Sequence, residues 1–163
     1  MKGDPQKRIE ELREAAKPCF QCGICSSSCP VFRVAPEVNP RLAVDSVIAN
    51  GELAEEGNEW LCAYCLTCEQ RCPMGVSLAD ILIELKNLST AEGKAPISIV
   101  QVVESFFTIG AIAPGTSGVD RKRNQLGLPE IPKADPEQIK TLFEGTGAME
   151  ILEKNLAKET AVE

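Results

Sequence analysis

All eight cysteines of the chain lie in two short runs, CFQCGICSSSCPV from Cys19 to Val31 and CAYCLTCEQRCPMGV from Cys62 to Val76. Each run reads C-x2-C-x2-C-x3-C and closes on a proline, Pro30 in the first and Pro73 in the second. Two-residue gaps let a tight loop turn three successive thiolates toward one face of a metal centre, with a fourth thiolate arriving from elsewhere. Structural zinc also uses C-x2-C, normally as two separated pairs per ion, so the third cysteine of each run and the one before proline are superfluous for zinc. Disulfides fit less well. No secretory signal is read ahead of Cys19, the chain far exceeds a stapled mini-protein in size, and thiols crowded into two loops favour metal. The pattern therefore favours metal clusters, and any fold must be built around the two loops.

Runs of this spacing resemble those with which bacterial-type ferredoxins hold 4Fe-4S clusters. In two-cluster ferredoxins the fourth cysteine of each run serves the other cluster. The resemblance thus implies one cluster on Cys19, Cys22, Cys25 and Cys72 and a second on Cys62, Cys65, Cys68 and Cys29, which would tie the two runs together through metal.

The rest of the composition limits what else the chain can do. There is no histidine, which excludes a Ser-His-Asp or Cys-His catalytic unit, a Rieske centre, histidine haem ligation and the usual catalytic zinc sites. With the cysteines committed to clusters, no catalytic residue is expected and the chain reads as an electron carrier. Seventeen basic residues against twenty-four acidic ones give a net charge of -7. Two oxidised clusters on thiolates add about -4, for a total of about -11, so nucleic acid is not an expected partner. Aromatic residues make up 4% of the chain and hydrophobic residues 44%. Packing must be largely aliphatic, with the clusters themselves filling space.

Along the chain the pattern is helical. Asp4-Pro5 opens a helix with Ile9, Leu12 and Ala16 on one face, ended by Pro18. Ser26, Ser27 and Ser28 either donate to cluster sulfur or simply fit beside Cys29 because they are small. VFRVAPEV is expected to be extended or irregular, broken at Pro36. Asn39-Pro40 opens a second helix through Val44, Val47 and Ile48, stopped by Asn50-Gly51. Trp60, two residues before Cys62, is expected to shield the second cluster from water. Ser77 and Asp80 suggest a capping box ahead of a stripe of Leu78, Ile81, Leu82, Leu85 and Leu88, which should pack on the helix after Asn39. Ala91 to Pro96 reads as a linker. The apolar stretch from Ile97 to Ala113 falls short of the roughly 20 residues of a spanning helix and contains Gln101 and Glu104, so it is expected to be buried or to face a partner, without membrane insertion. Pro114 to Gly118 reads as a turn, followed by the basic run Arg121, Lys122 and Arg123 in a helix closed by Leu126 to Pro129. Asp135-Pro136 starts a helix with Ile139, Leu142 and Phe143 on one face. Gly145 to Gly147 separates it from a last one with Met149, Ile151, Leu152 and Leu156, whose charged end should fray.

The expected class is all-α: a helical two-cluster domain over residues 1–92 and a helical C-terminal extension over 93–163 for partner docking. The paired runs, CPMGV at Cys72 to Val76, the helix after Ser77 and RKRNQLGLPEIP at Arg121 to Pro132 together resemble the C subunit of heterodisulfide reductase. That resemblance implies an α-helical ferredoxin fold, two 4Fe-4S clusters, a cytoplasmic location and electron relay from a flavin-bearing A subunit to a B subunit. In the B subunit the mixed disulfide of coenzymes M and B is reduced. The chain has no adjacent pair of cysteines, so disulfide reduction is assigned to another polypeptide. The alternative is the iron-sulfur subunit of a related sulfur-oxidising or quinone-linked dehydrogenase complex.

Overall fold

A computed structural model of the chain describes residues 4–50, 58–113 and 115–159. Among these residues the secondary structure is entirely helical, with no strand, as expected for the all-α class. Two compact units meet in sequence between Ala95 and Pro96.

The N-terminal unit begins with α1 (Pro5–Ala16), where the Asp4 carboxylate accepts from the Gln6 N–H at 3.0 Å and proline occupies the first turn. That is the cap its sequence announced, since proline loses no helical hydrogen bond there. The residues from Val31 to Val38 are compact turns with no extended strand: the Val34 and Ala35 N–H groups both return to the Val31 carbonyl, at 2.9 and 2.8 Å. Two short helices were not expected. These are α2 (Ile24–Ser28) and α4 (Thr67–Gln70), each a turn or so inside a cysteine run. Between them lies α3 (Pro40–Asn50). Asn39 caps it by accepting from the Arg41 and Leu42 N–H groups at 3.2 and 3.4 Å. Its expected stop involves Gly51, which lies outside the described residues. A 3-10 helix, Asn58–Leu61, carries Trp60 into the second run.

Helix α5 (Leu78–Ala91) closes the unit. Its five expected stripe residues, Leu78, Ile81, Leu82, Leu85 and Leu88, are each 4% exposed or less. They pack with Leu12 and Ala16 of α1 and Val44 and Val47 of α3 in one core. Burying each such side chain stabilises the fold by roughly 1.5–3 kcal/mol relative to leaving it exposed, so this stripe outweighs any cap. The expected capping box does not form. Ser77 has ψ 71 and makes no side-chain cap bond, because that backbone leaves the extended geometry a capping hydroxyl needs. Asp80 instead accepts from the Tyr64 hydroxyl at 3.3 Å.

The C-terminal unit is built on α6 (Ile97–Ile109), with α7 (Ser117–Gln125), α8 (Pro136–Phe143) and α9 (Ala148–Glu159). Phe106 and Phe107 of α6 meet Phe143 of α8 edge-on, with centroids 6.3 and 5.2 Å apart. Leu142, expected on the same face, is 79% exposed. Only Val100 and Phe107 of α6 are buried, and Ile99, Val102 and Val103 remain partly open. No helix among the described residues is long and apolar enough to cross a membrane. Ser117 and Gly118 belong to α7 and not to a turn, because the Thr116 hydroxyl caps the helix by accepting from the Val119 N–H at 3.4 Å. Pro114 lies outside the described residues, as does the far C-terminus that was expected to fray.

Gly110 ends α6 at φ +69, and a Cβ there would stand 1.8 Å from the Ala134 carbonyl oxygen. Gly110→Ala is therefore expected to destabilise the protein by more than about 1 kcal/mol, measurable as an earlier thermal transition with the cluster absorption intact below it.

Candidate metal-cluster site

The two cysteine runs fold alike. In each, the residues two and four positions after the first cysteine adopt left-handed backbone: Gln21 (φ 60) and Gly23 (φ 79) in the first, Tyr64 (φ 50) and Leu66 (φ 62) in the second. Glycine enters that region freely, whereas a residue such as Leu66 stores roughly 1–3 kcal/mol there. Each left-handed residue reverses the chain, so the loop curls and α2 or α4 starts directly after it. Exposure repeats as well. The first cysteine of each run is half-buried (Cys19, Cys62), the second exposed (Cys22, Cys65) and the third buried (Cys25, Cys68).

The fourth cysteines complete the picture unequally. Cys29 lines one cavity with Cys62, Cys65 and Cys68, walled by Val31, Val38, Pro40, Ala79 and Leu82. Cys72 borders the hydrophobic core, as do Cys19 and Cys62, while Cys25 and Cys68 are part of it. Among the described residues, no three His, Cys, Asp or Glu side chains are gathered as a single ion would need. Four thiols around an apolar cavity form the donor set that a 4Fe-4S cluster takes, so the residues present fit such a group.

Donors aimed at sulfur add to the fit. The Phe32 N–H lies 3.4 Å from Cys29 Sγ, the Tyr64 N–H 3.4 Å from Cys62 Sγ and the Val76 N–H 3.3 Å from Cys72 Sγ. The Gln21 side-chain amide donates to Cys19 Sγ at 3.6 Å. Such bonds favour the thiolate over the thiol and stabilise negative charge on the ligand. Thr67 hydrogen-bonds Cys65 at 3.4 Å and holds it below the ordinary thiol value. Burial pushes the Cys68 thiol up to about 11, against the opposing Glu69 N–H, and raises Cys25 in the same way against Ser26.

The choice left open for the serines is narrowed by their partners: Ser26 donates to Asn39 at 2.5 Å, Ser27 donates to the Ile24 carbonyl at 3.0 Å, and Ser28 accepts from Arg71. Ser26 also accepts from the Arg41 N–H at 3.1 Å, so it ties the first loop to the start of α3. Trp60 does not line the cavity of Cys29, Cys62, Cys65 and Cys68. Its ring lies beneath Lys86, whose Nζ is 5.8 Å from the centroid and donates to the Cys62 carbonyl at 2.9 Å. Gln21, Tyr64 and Thr67 sit inside the cysteine spacings and were open to notice. Lys86 was not, because only the register of α5 brings it to Cys62.

The sequence is similar to those of known proteins. Residues 15–76 match the family model of the 4Fe-4S dicluster domain. The chain is 33% identical to the C subunit of the ferredoxin/F420H2-dependent CoB-CoM heterodisulfide reductase of Methanosarcina acetivorans, over 76% of this chain and 79% of that protein. It is 31% identical to the iron-sulfur C subunit of the CoB-CoM heterodisulfide reductase of Methanopyrus kandleri, over 76% and 71%. With the C subunit of the H2:CoB-CoM heterodisulfide, ferredoxin reductase of Methanothermobacter marburgensis it shares 26% identity over 94% and 90%.

Ligation requires thiolates, and a thiol raised by burial releases its proton when metal binds. For Cys68, raised to about 11, falling pH favours the protonated, metal-free side. Acidification from neutral pH should bleach the cluster absorption, and helicity should fall with it, because Cys25 and Cys68 are part of the core. Parallel absorbance and circular dichroism titrations check this; bleaching with helicity unchanged would show that the core does not depend on ligation.

Proposed function

The chain belongs to the family of heterodisulfide reductase C subunits, and we propose that it relays electrons from a flavin-bearing A-type subunit to a B-type subunit that reduces the CoM-S-S-CoB heterodisulfide. It is an electron-transfer subunit of an oxidoreductase complex and holds two 4Fe-4S clusters. Each cluster, when bound, takes up and gives up one electron at a time. Cys19, Cys22, Cys25 and Cys72 hold the first, and Cys62, Cys65, Cys68 and Cys29 the second. The observation that carries this reading is the cavity shared by Cys29 with the three leading cysteines of the other run, which supports exchange of the fourth ligand between runs.

The chain's own residues suit a relay. Val31, Val38 and Leu82 give the cavity of the second site apolar walls, and the Phe32, Tyr64 and Val76 N–H groups, donating to Cys29, Cys62 and Cys72 Sγ, stabilise ligand charge. Cys22 and Cys65 stay exposed, so each site has a side open to a partner. Apolar residues accompany them, Phe20 and Ile24 in the first loop and Leu61, Leu66 and Met74 in and around the second. Residues 93–163 serve as the docking extension, since α7 buries no side chain and α6 leaves Ile99, Val102 and Val103 partly open. The cytoplasm is the compartment for this reading, because thiols there stay reduced and available to metal.

Anaerobic isolation of the native protein should yield a complex containing a flavoprotein and a second cysteine-rich chain. Rapid reduction of the flavin should be followed by reduction of this chain's clusters. A native protein that isolates only as a monomer would count against the relay.

Ligand exchange has its own test in electron paramagnetic resonance of the reduced protein. Cys72→Ser should change the signal that Cys22→Ser changes, and Cys29→Ser the one that Cys65→Ser changes, since serine oxygen is a harder, poorer ligand than thiolate. If Cys72→Ser instead follows Cys65→Ser, each run holds its own cluster.

A further inference from the structure

We propose that Lys86 sets the reduction potential of the site built on Cys62, Cys65 and Cys68, holding it above the value the thiolates alone would give. The inference rests on the reading that these cysteines hold a cluster and adds to it a residue outside the cysteine runs. Lys86 follows Leu85 on α5 and leaves the buried stripe at that point. Its ammonium donates to the backbone carbonyl of Cys62 at 2.9 Å in a part-buried bond. Trp60 lies against it, with the ring centroid 5.8 Å from Nζ, within reach of a cation–π attraction. Among the described residues no carboxylate forms an ion pair with Lys86.

A part-buried ammonium with no ion-paired carboxylate among the described residues is screened less than a surface lysine, so its field persists over the neighbouring residues. Here those neighbours include the ligand Cys62. One-electron reduction adds one negative charge to the site, and a fixed positive charge beside it favours the reduced form. Net charge and hydrogen bonding around the ligands are among the factors that move such potentials. The same bond also ties α5 to the second loop, and a neutral donor could do that equally well. The charge therefore separates a role in setting the potential from a role in holding shape.

The test uses the cluster-loaded, full-length protein carrying Lys86→Met, Lys86→Gln or Lys86→Arg, with midpoint potentials read by anaerobic redox titration of both paramagnetic signals. Cys65→Ser identifies the relevant signal, and that identification holds whether Cys29 or Cys72 is the fourth ligand. A failure of ligand exchange is thus distinguishable from a failure of the present inference, and wild-type protein lacking two signals would expose a failure of the cluster reading itself. Lys86→Met and Lys86→Gln should each lower the identified midpoint, with about a tenfold loss in the one-electron equilibrium constant, equivalent to about 59 mV. The other signal should move much less, and Lys86→Arg should stay near wild type. An unchanged midpoint in fully loaded Lys86→Gln, or equal shifts in both signals, overturns the proposal. Failure of both charge-removing variants to load iron also overturns it, because Lys86 would then be shaping the loop.

Discussion

Ligation of metal by thiolates is the interaction on which the N-terminal unit depends. The loops that present the cysteines place Gln21, Tyr64 and Leu66 in left-handed backbone, a conformation that side chains of this size adopt only when something compensates. They also bury Cys25 and Cys68 in the same core as the helices. Burial alone suits a cysteine as a small apolar residue, but the strained loop backbone needs a compensating interaction. Metal binding supplies the compensation, and because unfolded loops offer no assembled site, its free energy becomes folding free energy.

Helix α5 turns that local interaction into a fold. Its apolar stripe lies in the core, while its polar residues reach the parts of the unit that need to be held. Asp80 accepts from Tyr64 in the second loop, Glu84 pairs with Arg8 of α1, and Lys86 donates to Cys62. The pair with Arg8 is partly exposed and contributes little by itself. Its value is directional, since it orients α1 on a face already driven together by burial of Leu12, Ala16, Ile81 and Leu85.

The C-terminal unit works by different means. It contains no cysteine, and its aromatic contacts among Phe106, Phe107 and Phe143 take the place that metal holds in the other unit. Aromatic edge-to-face packing adds about 0.5–1.5 kcal/mol per pair beyond burial. With α7 burying nothing, its backbone geometry depends on end contacts such as the Thr116 cap and the Arg123 bond to the Pro129 carbonyl at 2.6 Å. A unit with so little of its apolar surface inside is suited to meeting another protein.

The sequence by itself determined the helical class, the cluster chemistry and most helix starts. Each of these rests on local rules: the C-x2-C spacing, the Asp-Pro and Asn-Pro caps and the apolar stripe of α5 all operate within a few residues. What remained hidden depended on contacts between distant segments. For Ser26 the sequence left two roles open, and its hydroxyl lies at Asn39, thirteen residues on. Asp80 looked like a capping residue until Tyr64, sixteen residues earlier, proved to be its donor. Trp60 looked like a cluster shield, yet the position of Lys86 on α5 decides what its ring covers. A polar side chain with several candidate partners takes the one that packing brings within about 3 Å, and only the tertiary structure settles which partner that is.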